Sequence, residues 1–340
     1  MKQIGVGLVG CGMIAGVHVT ALKEIPSAKI CGVWNRTHET MVGFAEKYGI
    51  NTYESYERML SDPEVNTVII TLPPALHSEY GVRAAAAGKN IIVEKPIDID
   101  PDRAERLIQT CRQHNVKLAV IFQNRYTPAA QKVKTALEQG VLGRIILADA
   151  YIKWYRSPEY YKSRPWRGTW EIEGGGSLMI QAIHTIDLVQ WFMGGAQSVY
   201  GRIKTAFHQI KTEDLGLAIV EYKNGALGVI EGSTAVVPGF KERIELHGEK
   251  GTIVLEGGNI TGWKVEGQCE SDHVTAERIS YGETNSPAIT HVNHKAQLEE
   301  VLHAFLQDKE PLVNGEEGLK SLQIVKGIYR SSQSGQKVLL

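Results

Sequence analysis

VGLVGCGMIAGVH, residues 6–18, joins a short apolar run to a segment with helical spacing through Gly10-x-Gly12-x-x-Ala15. Strand, glycine turn and helix in that order mark a dinucleotide-binding βαβ unit. Gly10 would allow the tight turn, and Gly12 would let a pyrophosphate approach the backbone. The small Ala15 would permit close packing of helix on sheet. The amides of Met13 and Ile14 would then face the phosphates at the helix N-terminus. A turn serving packing alone, or one holding S-adenosylmethionine, shares the short pattern. The strand before it and the helix after it favour the dinucleotide.

Outward from this stretch the chain keeps alternating. AKICGVWN, NTVIITL, NIIVEKP and VKLAVIFQN read as strands, and THETMVGFAEKY, HSEYGVRAAAAGK and DPDRAERLIQTCRQH as helices. Such alternation predicts a parallel sheet with helices on both faces, a doubly wound Rossmann architecture over residues 1–122. The second strand should end on the residue that reads the adenosine ribose. It ends in WNRT, so Asn35 and Arg36 stand where an acidic residue would bind the ribose hydroxyl of NAD. Arg36 suits a 2′-phosphate, and the expected cofactor, NAD(P), tilts towards NADP.

Past residue 123 the grammar changes. GRIILADAYIKWY, LGLAIVEYKNGALGVIEGS, ERIELHGEKGTIVLEGG and NITGWKVEG predict strands joined by tight turns, with the Asn-Gly of YKNGAL as a hairpin signal. Residues 123–340 should form an α/β domain on a large, mainly antiparallel open sheet. A helix over 174–195 is inserted into that sheet, and two more helices lie near the C-terminus.

Composition narrows the class. Of 340 residues, 43% are apolar and 22% charged, and the net charge is -1, which gives no reason to expect nucleic acid or an anionic membrane as partner. No apolar run is long enough to span a bilayer. Four cysteines without paired spacing and an N-terminus that moves directly into a strand predict a cytoplasmic protein with free thiols and no metal site.

Two segments carry chemistry. NIIVEKP puts Glu94 and Lys95 at a strand's carboxyl end, where a nicotinamide would lie; a solvated Glu-Lys pair before Pro96 is the bland reading. A lysine beside the cationic ring has its charged form disfavoured, which suits acid–base work. In GGGSLMIQAIHTIDLVQWFMGG, Gln181, His184 and Thr185 share one face of an otherwise apolar helix. The glycines before it would let a substrate approach the backbone. His184 is either a core histidine or a proton carrier.

Taken together, GCGMIAGVH, TLPPALH, VEKP, GGGSLMIQAIHTIDLVQWFMGG and GEEGLKSLQIVKGIYRSS resemble, in this order and over essentially the whole chain, the Gfo/Idh/MocA family. That family is named for glucose–fructose oxidoreductase, inositol dehydrogenase and a rhizopine-catabolism protein. The resemblance implies NAD(P)-dependent hydride transfer to or from a hydroxyl or ketone carbon of a sugar, cyclitol or derivative. It also implies a homodimer or homotetramer formed through the open sheet. By the same resemblance Lys95 and His184 are the catalytic pair, and Thr71, Pro73 and His77 line the cofactor. The chain departs from the pattern at Ile180, where such dehydrogenases carry Asp, and at Ala182, where glycine is usual. Asp187 could orient His184 instead, or make a structural hydrogen bond.

The segment YIKWYRSPEYYKSRPWRGTW, just before the glycines, offers Tyr155, Trp166 and Arg167 as sugar contacts, since aromatic faces stack on sugar rings and guanidinium forks bind hydroxyls or carboxylates. KTED, residues 211–214, is a further contributor. Two rival functions stay open at this point: a glycosidase-like enzyme with tightly bound NAD that oxidises transiently, and a non-enzymatic NAD(P)-binding sensor.

Overall fold

Ile4–Val9 (β1) is buried at every position, as a strand covered on both faces must be. The computed structural model that shows this describes residues 3–273 and 290–340. Met13–Lys23 (α1) follows, then Ala28–Trp34 (β2), His38–Tyr48 (α2), Tyr56–Ser61 (α3), Thr67–Ile70 (β3) and His77–Ala86 (α4). Asn90–Val93 (β4), Pro101–Gln113 (α5) and Leu118–Val120 (β5) complete the alternation. The five strands are parallel in the order β2-β1-β3-β4-β5. One parallel bridge, Val33 to Thr52, extends the sheet beyond β2 by a single residue. The order reverses at β1, which is where doubly wound sheets open a ligand crevice. This is the Rossmann domain that the glycine turn predicts.

The chain forms two compact units, the first gathering residues up to Gln123 together with Thr290–Leu319. The later segment joins the first unit for a physical reason. Leu298, Val301, Leu302 and Phe305 form one apolar stripe, and they share a buried core with Val6, Leu8, Val19, Leu22, Ile69 and Ile92. The segment's helix is Val292–Leu306. Gln297 adds a polar tie, accepting from the Phe122 amide and donating to the Val120 carbonyl.

The second unit runs from Asn124 and includes Lys320–Leu340. It opens with a helix the sequence reading passes over, Pro128–Glu138 (α6), started by the Thr127 side chain and a proline in its first turn. Ile145–Lys153 (β6) leads to Pro158–Lys162 (α7), Trp170–Glu173 (α8) and Ile183–Met193 (α9). Then come Ala196–Lys204 (β7), Leu215–Tyr222 (β8), Leu227–Ser233 (β9), Arg243–Gly248 (β10), Gly251–Glu256 (β11) and Asn259–Val265 (β12). With Val292–Leu306 as α10, the chain ends in Gly315–Ser334 (α11) and Val338–Leu339 (β13).

The eight-stranded order is β12-β11-β10-β6-β9-β8-β7-β13, antiparallel throughout except where β6 meets β9. Asn224-Gly225 closes the β8–β9 hairpin with Gly225 at φ 85°, the left-handed position a glycine takes without strain. Gly216 and Gly232 face each other across β8 and β9. A Cβ on either would strike Leu178 at 2.5 or 2.6 Å, so the two glycines make the seat for the helical segment on the sheet's inner face.

Candidate active site

In the first unit, Gly10 stands at φ 106° and its amide donates to the Trp34 carbonyl. A Cβ there would lie 2.7 Å from Thr71 Oγ1, so Gly10 is required by the protein itself. Gly12 is different. Its φ is -78°, and a Cβ would meet nothing within 4 Å. No side chain caps α1, whose first-turn amides beyond Gly12 are therefore left for an outside acceptor. A backbone that needs no glycine for packing, at an uncapped helix start, fits the pyrophosphate of a dinucleotide. Ala15 is fully buried, as close helix–sheet packing requires, while Met13 is exposed and Ile14 half-buried.

Asn35 Nδ2 donates to the Thr37 carbonyl and so holds the turn after β2, and Arg36 is exposed beside it. Thr71 is buried and its hydroxyl donates to the Val9 carbonyl. Pro73 precedes a single turn, Pro74–Leu76. His77 is sealed, with its ring nitrogens 2.7 Å from the carbonyls of Pro96 and Leu72. Burial pushes its pKa down, against those carbonyls, so its evident work is to hold the strand-end loops after β3 and β4 together.

Glu94 and Lys95 follow β4 directly. Lys95 is half-buried, whereas Glu94 is sealed and its Oε1 lies 2.8 Å from His18 Nε2 on α1. Burial alone would raise the Glu94 pKa, but the hydrogen bond and charge of His18, with His294 and Lys95, hold it down to about 2. Burial and then His18 push His294 down to about 4. Glu94, His18 and His294 bring one ligand atom each within 4.8 Å of one another. The set lacks the outer support usual for a metal centre. His18 and Glu94 sit at hydrogen-bond length, and the buried His18 Nδ1 has no hydrogen-bond partner, whereas metal-bound imidazoles are held from behind.

In the second unit, Ser177–Ala182 winds as a π-helix before α9. Such single π turns concentrate at functional sites. Gln181 lies in this turn, whereas His184 and Thr185 lie in α9 beyond it. Gln181 is buried and its Nε2 donates to Tyr160 Oη. Thr185 turns to a small internal cavity lined also by Asn124, Thr127 and Leu188. His184 is half-buried within a helix whose neighbours Ile183, Thr185, Ile186 and Asp187 are sealed.

Asp187 is engaged elsewhere than at His184. Arg125, fully buried, grips both its oxygens at 2.7 Å, and Ser321 Oγ donates to it at 2.8 Å. The glycines before the helix also have protein partners in place of a substrate. Gly174 caps α8 at φ 71°, a Cβ on Gly175 would lie 2.1 Å from the Tyr329 hydroxyl, and one on Gly176 would lie 1.8 Å from the Glu213 carbonyl.

The aromatic loop assembles around a residue the sequence reading leaves out, Tyr160. The Arg167 guanidinium stacks 3.8 Å above its ring and donates to its carbonyl. Arg156 approaches the same ring at 5.7 Å. Trp166 is half-buried with its carbonyl bound by Thr169, and Tyr155 is half-buried at a bridge to Ala235. The adjacent tyrosines of EYYK were the available signal for Tyr160, but nothing local says which one reaches Gln181.

Residues 4–122 match the oxidoreductase family's NAD-binding Rossmann fold, and residues 134–340 match that family's C-terminal alpha/beta domain. An uncharacterized oxidoreductase of Bacillus subtilis, YrbE, is 27% identical over 99% of this chain and 96% of its own length. The myo-inositol 2-dehydrogenase of Thermotoga maritima is 27% identical over 74% of this chain and 75% of its own. Among solved structures, the WlbA dehydrogenase of Bordetella pertussis in complex with NADH and UDP-GlcNAcA has a TM-score of 0.90 and 31% identity, covering 100% of this chain and 98% of that one. Glycine turn, EKP strand end and two-domain match thus agree, and the chain belongs to the Gfo/Idh/MocA family of NAD-binding oxidoreductases.

Proposed function

We propose that this enzyme interconverts a carbinol and a ketone carbon on a sugar, cyclitol or sugar derivative, with Lys95 and His184 handling the proton. One observation carries the reading. An uncapped helix start with open space at Gly12 shares a unit with a half-buried lysine at the carboxyl end of β4. A bound NAD(P) supplies the hydride acceptor or donor. Lys95, beside a cationic ring, has its charged form disfavoured and so takes up or releases the hydroxyl proton. His184, left unsealed on a buried helix, is the second group for the proton. Ile180 removes the carboxylate that would otherwise assist it, which puts more of the proton transfer on Lys95.

Within this class a carboxylated sugar fits best. Arg167 is held by stacking on Tyr160, and among the described residues its buried Nε has no hydrogen-bond partner. The similar dehydrogenase with UDP-GlcNAcA bound supports the same choice. Tyr155, Trp166, Gln181 and Arg167 are then its contacts. Arg36, exposed at the end of β2, supports acceptance of NADP beside NAD. Tyr200, Leu217, Ile219, Leu227 and Val229 stay exposed on the outer face of the open sheet, which supports a homodimer or homotetramer through that face. Buried free thiols at Cys31 and Cys111 support a reducing, cytoplasmic setting, and no helix among the described residues could cross a membrane.

The test follows nicotinamide absorbance with NAD and NADP over uronates, nucleotide sugars, neutral sugars and cyclitols. Turnover that disappears in Lys95→Ala and falls steeply in His184→Ala is expected. Turnover of the same substrate at the parental rate by Lys95→Ala overturns the assignment.

A further inference from the structure

Glu213, within the KTED offered above as a substrate contributor, is 1% exposed and turned to the protein itself. Its carboxylate is spent on the start of the π-helix. Oε2 accepts from the Gly176 amide at 2.8 Å, and Oε1 accepts from the Leu178 amide at 2.9 Å and from the Tyr329 hydroxyl at 2.9 Å. Its own carbonyl accepts from the Ser177 amide at 3.0 Å. Three successive amides at 176–178 therefore close on one residue. Helix starts leave such amides without intrahelical partners, and here no cap from within the helix supplies them.

The surrounding residues are shaped to this grip. Gly175 and Gly176 are glycines because a side chain there would enter Tyr329 or Glu213. Tyr329, fully buried, is fixed in turn by edge-on contact with Trp170, whose indole N–H donates to the Lys211 carbonyl. Few other titratable groups bear on the carboxyl. Tyr329 reaches it from α11, and Asp214 beside it is turned to the amides of Ala206, Phe207 and His208 and to the His208 ring. Lys326, also on α11, places its Nζ 5.8 Å from the centre of the Tyr329 ring.

We infer that Glu213 is a positioning residue for the oxidoreductase chemistry. Its carboxylate, with Tyr329, holds the π-turn that sets the directions of Gln181 and His184. Burial raises its pKa to about 7 despite the donors around it, so the clamp sits near its own protonation point. A proton on either oxygen weakens acceptance from an amide that has no alternative partner.

This inference rests on His184 acting in the proposed reaction, so the experiment has an arm that does not need turnover. Hydrogen exchange at slightly alkaline pH is measured on the full chain for the parent, Glu213→Gln and Tyr329→Phe. Amides 176–182 should exchange about tenfold faster in Glu213→Gln and less so in Tyr329→Phe, with the first unit unchanged. Unchanged exchange in Glu213→Gln overturns the clamp. The second arm uses the sugar turned over by the parent. kcat should fall about tenfold in Glu213→Gln while NADH affinity stays within about twofold. Faster exchange with parental kcat overturns the positioning role and leaves the oxidoreductase assignment intact. Failure of Glu213→Gln to fold leaves Tyr329→Phe to decide, since it keeps both amide contacts and should lower kcat several-fold; a parental value in that variant overturns the role.

Discussion

His18 Nε2 lies 2.8 Å from Glu94 Oε1 with both side chains buried, so the helix that follows the glycine turn is tied to the residue before Lys95. Removing the partner of a buried carboxylate leaves it uncompensated, at a cost of about 3 kcal/mol or more. His18→Ala should therefore lower the unfolding free energy by about that amount, read by urea titration, and weaken NADH binding, because the helix that presents the phosphate amides loses its anchor. His18→Gln, which keeps a donor, should recover part of both. An unchanged midpoint with unchanged NADH affinity would show the pair to be idle.

Three buried groups give the pH dependence of stability its shape. Glu94 is lowered from its ordinary 4.5 to about 2, so its stabilisation is present above 4.5 and is lost as pH falls towards 2. His294 is lowered from 6.5 to about 4 and is neutral in the fold. Below 6.5 the unfolded chain takes the proton first, so stability again falls with acid. Glu213 is raised from 4.5 to about 7, which has the opposite sign: the folded chain holds the extra proton, and stability falls as pH rises from 4.5 to 7. Thermal midpoints across this range should show an acid-side loss that persists in Glu213→Gln and a loss towards neutrality that this variant lacks. A Glu213→Gln curve parallel to the parent's between 4.5 and 7 counts against the raised pKa.

Asp187 is the acceptor for a fully buried Arg125, through two bonds at 2.7 Å. Asp187→Ala leaves that guanidinium without its partner in a core that also holds Gln190 and Ser321. The expected loss is about 3–5 kcal/mol, read as a denaturant midpoint. The pH profile of turnover should keep the limb set by His184, because both Asp187 oxygens are spent on other residues. Parental stability with a displaced pH limb would restore the reading in which Asp187 orients His184.

Features set by local order along the chain were readable in the sequence. Gly10, Gly12 and Ala15 declare a turn and a helix start, and Glu94 and Lys95 declare themselves by ending a strand. What the sequence hides depends on distant partners or on helical pitch. His294 reaches Glu94 only because an apolar stripe returns α10 to the first unit, and Glu213 meets Gly176 across two separate elements. Gln181, His184 and Thr185 share a face at ideal spacing, but Gln181 sits in the π-turn and meets Tyr160, while Thr185, in α9 beyond it, lines a small cavity. No residue in the π stretch announces that pitch. The clamp that holds it comes from KTED, many residues later.

The two glycines of the phosphate turn should separate folding from cofactor binding. Gly10 has φ 106° and faces Thr71 within 2.7 Å of a built Cβ, so Gly10→Ala combines backbone strain with a clash. A loss of roughly 1–3 kcal/mol in stability is expected from the strain alone. Gly12 has φ -78° and open space around its Cβ position. Gly12→Ala should leave the unfolding free energy within about 0.5 kcal/mol of the parent. Its methyl would stand where a pyrophosphate approaches the backbone, so NADH affinity should fall by about tenfold or more, measured by fluorescence titration. Parental NADH affinity in Gly12→Ala would mean that this turn serves packing alone.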